Sequence, residues 1–251
     1  MPPTALSQSS HPSLLTIIKS SRKPENFWFR VYYTLGSFVV WIGVRVGWTP
    51  NQLTVASALV NLIGFVYFTI VPTSRPAIVL TYIIFNIAYV LDWADGQLAF
   101  VAKMRSELGQ WLDSSLDVFK AAFLSLLLIK TIYAQTGRYS PNGWFEFLVV
   151  FAAIGHFVNY ALTIHAIHFR EPHDGYEQTS FDRLWTGRGL KRYLTETAVS
   201  HLREFANLLL TFLLFAVNRE AALWCTLVLG TAHWLFALRR VVVIGRRLQI
   251  S

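Results

Sequence analysis

Between two apolar runs, each long enough to cross a bilayer, the chain sets five carboxylates in the 26 residues DWADGQLAFVAKMRSELGQWLDSSLD, Asp92 to Asp117. Charge is scarce elsewhere. Only 14% of the 251 residues are Asp, Glu, Lys or Arg and 54% are hydrophobic, whereas a soluble globular chain carries about 25% charged residues. A lone carboxylate at membrane depth costs roughly 2.5–3.5 kcal/mol, so a group of them needs a cation or water. With both halves helical, Asp92, Asp95, Gly96 and Ala99 fall at i, i+3, i+4 and i+7 on one face. Gly109, Asp113 and Asp117 fall at i, i+4 and i+8 on one stripe of the next helix. Four hard oxygen donors on two facing helices suit Mg²⁺, Mn²⁺ or Ca²⁺ rather than zinc. The glycines and Ala99 add no bulk and leave the backbone open to a ligand. Glu107 stands in a first helical turn, where a carboxylate complements the helix dipole.

The pattern Asp92-x2-Asp95-Gly96-x2-Ala99, then Gly109-x3-Asp113-x3-Asp117, resembles the signature of the CDP-alcohol phosphotransferase family with every spacing kept. Phe100 stands where that family usually has Arg. Upstream, Thr49-Pro50-Asn51-Gln52-Leu53-Thr54 is similar to the TPN-x-x-T segment that opens the family's first membrane helix. The resemblance implies one or two Mg²⁺ or Mn²⁺ ions held by Asp92, Asp95, Asp113 and Asp117. It makes Asp117 the general base that takes the acceptor hydroxyl's proton. Gly96, Ala99 and Gly109 would let the cytidine and its phosphates lie against the helix backbones, with Asn51, Thr54 and Ser106 as polar contacts. The implied reaction is attack by an alcohol on a CDP-linked donor such as CDP-diacylglycerol, with CMP leaving, in a homodimer. An Arg at position 100 would offer a bidentate phosphate donor, and Phe offers none. Either Lys103 or Arg105 reaches back, or the substrates do not need the contact, or the chain has lost transferase activity.

The expected architecture is an all-α integral membrane protein with six transmembrane helices and an N-terminal interfacial amphipathic helix. Residues 1–26 read as a polar cytosolic tail, with Lys19, Arg22 and Lys23 basic and no signal peptide evident. Residues 27–48 read as the interfacial helix, Arg30 and Arg45 lying near its ends, although its apolar content also permits a span. Residues 49–251 hold the six spans, at about 50–71, 77–102, 107–134, 144–169, 197–217 and 220–238. Pro50 suits the start of the first, where a missing N–H costs nothing. The metal aspartates fall at the end of the second span and the start of the third, hence at one depth.

Basic residues crowd both chain ends and the connections at 103–105 and 170–196, while the turns at 72–76, 136–143 and 218–219 carry one each. Positive-inside bias therefore puts both termini and the site on the cytosolic side, whether of a bacterial inner membrane or an internal eukaryotic one. The net charge of +8 fits leaflet anchoring and phosphate contacts rather than nucleic acid, because the cations border apolar segments. Cys225 alone excludes an intramolecular disulfide, and His156, His165 and His168 read mainly as polar groups bonded between helices. A soluble CDP-alcohol donor with a lipid acceptor is the alternative layout. Two rivals are a non-catalytic nucleotide- or lipid-binding member, on account of Phe100, and a cation transporter, which the clustering of acids at one end disfavours.

Overall fold

A computed structural model describes residues 12–20, 27–136, 144–168 and 205–248. Among them the regular structure is helical throughout: α1 (Leu14–Ser20), α2 (Phe27–Val46), α3 (Pro50–Ile70), α4 (Arg75–Val101), α5 (Glu107–Thr136), α6 (Trp144–His168), α7 (Phe205–Leu214) and α8 (Arg219–Leu248). The expected 170–196 connection and the first part of the fifth span, 197–204, lie outside the described residues, as do the side chains of His165 and His168.

Local sequence sets the helix ends. At α3, Thr49 and Gln52 form a capping box: the Gln52 N–H donates to Thr49 Oγ1 (3.4 Å), and the Thr49 N–H donates to Gln52 Oε1 (2.9 Å). Pro50 then occupies the first helical position. Ser74, Ser106 and Asn218 cap α4, α5 and α8 by accepting from the N–H groups of Ala77, Gly109 and Ala221. Helix α2 ends at Gly47, whose φ of +80° is the left-handed conformation that glycine adopts without strain.

The helices carry large apolar side chains on their outer faces as well as in the core. Along α3, Thr54, Ser57, Asn61 and Phe68 are buried while Val55, Leu59, Ile63 and Ile70 face outward. Buried polar groups behind an apolar exterior are what a lipid solvent selects. Pro50–Ile70, Arg75–Val101 and Arg219–Arg239 are long and apolar enough to cross a membrane, and Phe147–Asn159 is a shorter apolar stretch. Three of the six expected spans thus meet the requirement among the described residues. The expected third span, α5, is helical over its length but carries Asp113, Asp117, Lys120 and Lys130, which dilute its apolarity.

The described residues fall in two compact units, within Met1–Ser57 with Ala88–Leu112, and within Ala58–Ile87 with Asp113–Ser251. In the first unit Ile17, Val40, Leu53, Ala94 and Leu98 make an apolar centre. Ile17 belongs to α1, inside the stretch expected to be a polar tail. The four apolar residues Leu14, Leu15, Ile17 and Ile18 behind a Ser13 cap suffice for a short helix once a neighbour buries its face. Helix α2 is tied to α4 through Gln97. The Ser37 hydroxyl donates to Gln97 Oε1 (3.2 Å), and Gln97 Nε2 donates to the Tyr33 carbonyl (3.0 Å). Gly36 makes room for this amide, since a Cβ there would lie 2.9 Å from Gln97 Nε2.

The second unit packs Phe68, Phe85, Leu124, Leu128 and Phe212 into its core, and α6 runs along α8. Lys130, a cation well inside α5, caps the C-terminus of α3. Its ammonium donates to the carbonyls of Phe68, Thr69 (3.0 Å) and Val71 (2.9 Å). A helix C-terminus leaves such carbonyls without intrahelical donors and carries negative partial charge, so a cation from a neighbouring helix satisfies both needs. Lys130→Met keeps the stem's volume and removes three donors. It should destabilise the folded protein by about 1–3 kcal/mol, read as a lower thermal-unfolding midpoint in detergent; an unchanged midpoint contradicts the capping role.

Candidate metal centre

Near the end of α4, Asp92 and Asp95 stand one turn apart, and α5 brings in Asp113. One oxygen from each of these three carboxylates lies within 4.8 Å of the others; Asp95 is buried, while Asp92 and Asp113 are half-buried. At an effective dielectric of ~20, two like charges at this spacing repel by roughly 3 kcal/mol. A divalent cation reverses the sign of that term. The donor set is all carboxylate oxygen, which suits magnesium, manganese or calcium, so the residues fit the expected ion.

A neighbouring side chain fixes one of the donors. Thr54, held on α3 by the capping box one turn earlier, directs its hydroxyl to Asp95 Oδ2 at 2.5 Å. A partner of this kind orients a metal-binding carboxylate, and its loss typically costs about 10–100-fold in metal affinity. Thr54→Val should therefore weaken Mn²⁺ binding by about that factor in a titration of purified protein. Unaltered affinity would refute the orienting role.

Asp117, one turn beyond Asp113 on α5, is engaged differently. Lys120 Nζ donates to Asp117 Oδ1 at 2.8 Å, with 6% of the lysine side chain and 18% of the aspartate exposed. The structure brings together three of the four expected metal ligands and sets the fourth on a lysine. Lys120 escaped the sequence reading, although an opposite charge at i+3 within an apolar helix is a recognisable signal. Gln97 escaped too, and nothing in the sequence marks it beyond its position inside the motif.

The other expected site residues have identifiable surroundings. Gly96 is exposed, and a Cβ built on it meets nothing within 4 Å, so the backbone there is open. A Cβ on Gly109 would lie 2.9 Å from Asn51 Oδ1 and 3.0 Å from Ser106 Oγ. The missing side chain thus admits Asn51 and Ser106 themselves. Ser106 also caps α5, and Ala99 is half-buried at the end of α4.

Phe100 is half exposed, and the guanidinium of Arg105 lies over its ring, 5.3 Å from the centroid. The chain turns back because α4 ends on Lys103 with φ of +55°, while Met104 N–H donates to the Ala99 carbonyl (3.0 Å) and Lys103 N–H to that of Phe100 (3.3 Å). This is a Schellman ending with lysine in the left-handed position where glycine is usual. Of the two cations expected to reach back, Arg105 lies over the ring of Phe100 itself.

A helical chain with outward apolar faces and three clustered acids has the make-up of a membrane protein able to hold a divalent cation. The profile of the CDP-alcohol phosphatidyltransferase family matches residues 47–232, and the chain belongs to that family. It is also similar to the bifunctional IPC transferase and DIPP synthase of Thermococcus kodakarensis, 35% identical over 85 residues. That match covers 34% of this chain and 18% of the relative's own length.

Proposed function

We propose that the chain is a membrane-embedded phosphotransferase of phospholipid synthesis. It moves a phosphatidyl or substituted phosphoryl group from a CDP-linked donor, CDP-diacylglycerol in the preferred reading, to a small polar alcohol. The three clustered aspartates are the observation that carries the proposal, and family membership supports the reaction class. A bound Mg²⁺ or Mn²⁺ on Asp92, Asp95 and Asp113 supplies charge neutralisation for the donor's diphosphate.

The protein's own groups do the rest. The acceptor hydroxyl loses its proton to Asp117 as its oxygen bonds to phosphorus, and the bond from that phosphorus to the CMP oxygen breaks. Such a base must lie within ~2.6–3.2 Å of the hydroxyl, and Lys120 orients it by holding one oxygen. The open backbone at Gly96, with Ala99, receives the nucleotide. Asn51 and Ser106, packed on Gly109, shape the wall of that site. The six-span plan, cytosolic termini and active site, and a homodimer complete the proposal.

The test is CMP release by purified protein in liposomes with Mg²⁺ or Mn²⁺, crossing CDP-diacylglycerol and soluble CDP-alcohols with a panel of acceptors. Metal-dependent release from CDP-diacylglycerol is expected. Release from soluble CDP-alcohols alone reverses the donor assignment. Nucleotide binding without release from any donor makes the chain a non-catalytic member.

A further inference from the structure

Beside the Phe100 turn, α1 and the end of α4 border an open pocket of about 650 Å³, lined by Pro12, Thr16, Ile17, Phe100, Lys103 and Arg105 together with Ala99 and Val101. That volume lies within the ~300–1,000 Å³ of small-molecule sites. Its character is divided. Proline, isoleucine, alanine, valine and the phenylalanine ring make most of the wall, and Lys103 and Arg105 bring two cations with no acidic residue among the described lining residues. Thr16 is the one hydroxyl among the described lining residues. A sugar or polyol phosphate would bury its hydroxyls against hydrocarbon here, whereas an amphiphile with one anionic head and an apolar stem matches both parts.

The basic side is held in place. The left-handed turn at Lys103 brings Arg105 back over the Phe100 ring, a cation–π contact that keeps the planar guanidinium beside the cavity. The positive charge that Phe100 removes from the motif stands five residues later on Arg105, over the Phe100 ring and lining the same pocket as Thr16 and Ile17 of α1.

We infer that this cavity binds the phosphate of an anionic lipid, with Arg105 and Lys103 on the phosphate and the α1 and α4 side chains on the apolar stem. Helix α1 is then a wall of a lipid-headgroup site adjoining Ala99. The inference rests on the reading of the chain as a membrane enzyme, but its test does not depend on turnover.

Native mass spectrometry of the full-length protein in detergent, with dioleoyl phosphatidic acid against dioleoyl phosphatidylcholine, reads the site directly. Wild type should retain the phosphatidic acid in preference, and the double variant Lys103→Ala/Arg105→Ala should lose that preference by about tenfold or more. Thr16→Trp, which fills the cavity from α1 with both cations intact, should weaken retention as well. Glycerol 3-phosphate in excess separates the sources: failure to displace the lipid makes the acyl stem part of recognition, and full displacement makes the ligand a soluble phosphate. The inference falls if the double variant retains phosphatidic acid like wild type. It also falls if Thr16→Trp leaves retention unchanged while the double variant loses it, because the cations would then act as surface charge complementing the α4 C-terminus. Mn²⁺ binding measured on the same variants should be unaltered, which separates loss of this site from loss of the metal centre.

Discussion

Asp117→Asn should remove CMP release while leaving most of the nucleotide affinity intact. The amide keeps the size of the carboxylate and loses the ability to take a proton, a role worth about 10²–10⁴-fold in rate. Affinity survives because the three aspartates within 4.8 Å of one another do not include Asp117. A confounding effect follows from Lys120, whose side chain is only 6% exposed and whose ammonium lies 2.8 Å from Asp117. Removing the anion breaks the ion pair of a buried cation, which can cost up to about 3–5 kcal/mol. The double variant Asp117→Asn/Lys120→Met removes both charges and should recover stability without recovering turnover. Wild-type turnover by Asp117→Asn would rule out the general-base assignment. Recovered turnover in the double variant would show that the single change had acted through folding.

The second large effect is structural. Gly230→Leu should prevent α6 and α8 from docking, and even Gly230→Ala should destabilise. Alanine in place of glycine inside a helix gains about 1 kcal/mol of propensity. At Gly230, however, an added Cβ falls on the Ala152 carbonyl, which is backbone and cannot swing aside. Overpacking of this kind costs about 1–3 kcal/mol or more, so the clash outweighs the propensity. Across the same seam a Cβ on Gly155 would meet the Trp234 indole and the Gly230 carbonyl. Trp234 Nε1 donates to the Phe151 carbonyl (2.8 Å), and Asn159 Nδ2 and His233 Nδ1 are 3.0 Å apart. Small residues that let helix backbones meet, with polar groups bonding across, are how helices associate where water supplies no driving force. The expected readout is loss of the monodisperse folded species for Gly230→Leu and a lower unfolding midpoint for Gly230→Ala. A Gly230→Ala protein as stable as wild type would contradict the close approach.

What the sequence made legible follows from the range of each interaction. The i, i+3 spacing of Asp92 and Asp95 fixes their common face through helix geometry alone, and the capping box at Thr49 spans only four residues. Both could be read without a fold. The partners of Lys130 are carbonyls of another helix, and no local pattern announces them. Gly155 and Gly230 look like ordinary helix glycines until the two helices are docked. Helix α1 is too short to be stable alone and exists because Ile17 is buried against its unit, so composition counted it with the polar tail. Arg105 reaches Phe100 through a left-handed lysine, a conformation that residue type argues against.

The most direct measurement is Mn²⁺ paramagnetic resonance on the purified protein, comparing wild type with Asp92→Asn, Asp95→Asn and Asp113→Asn taken singly. If these three carboxylates hold the cation that neutralises the donor's diphosphate, wild type binds Mn²⁺ saturably and each substitution weakens binding by at least about tenfold. Saturable binding by wild type that all three variants retain undiminished would contradict it.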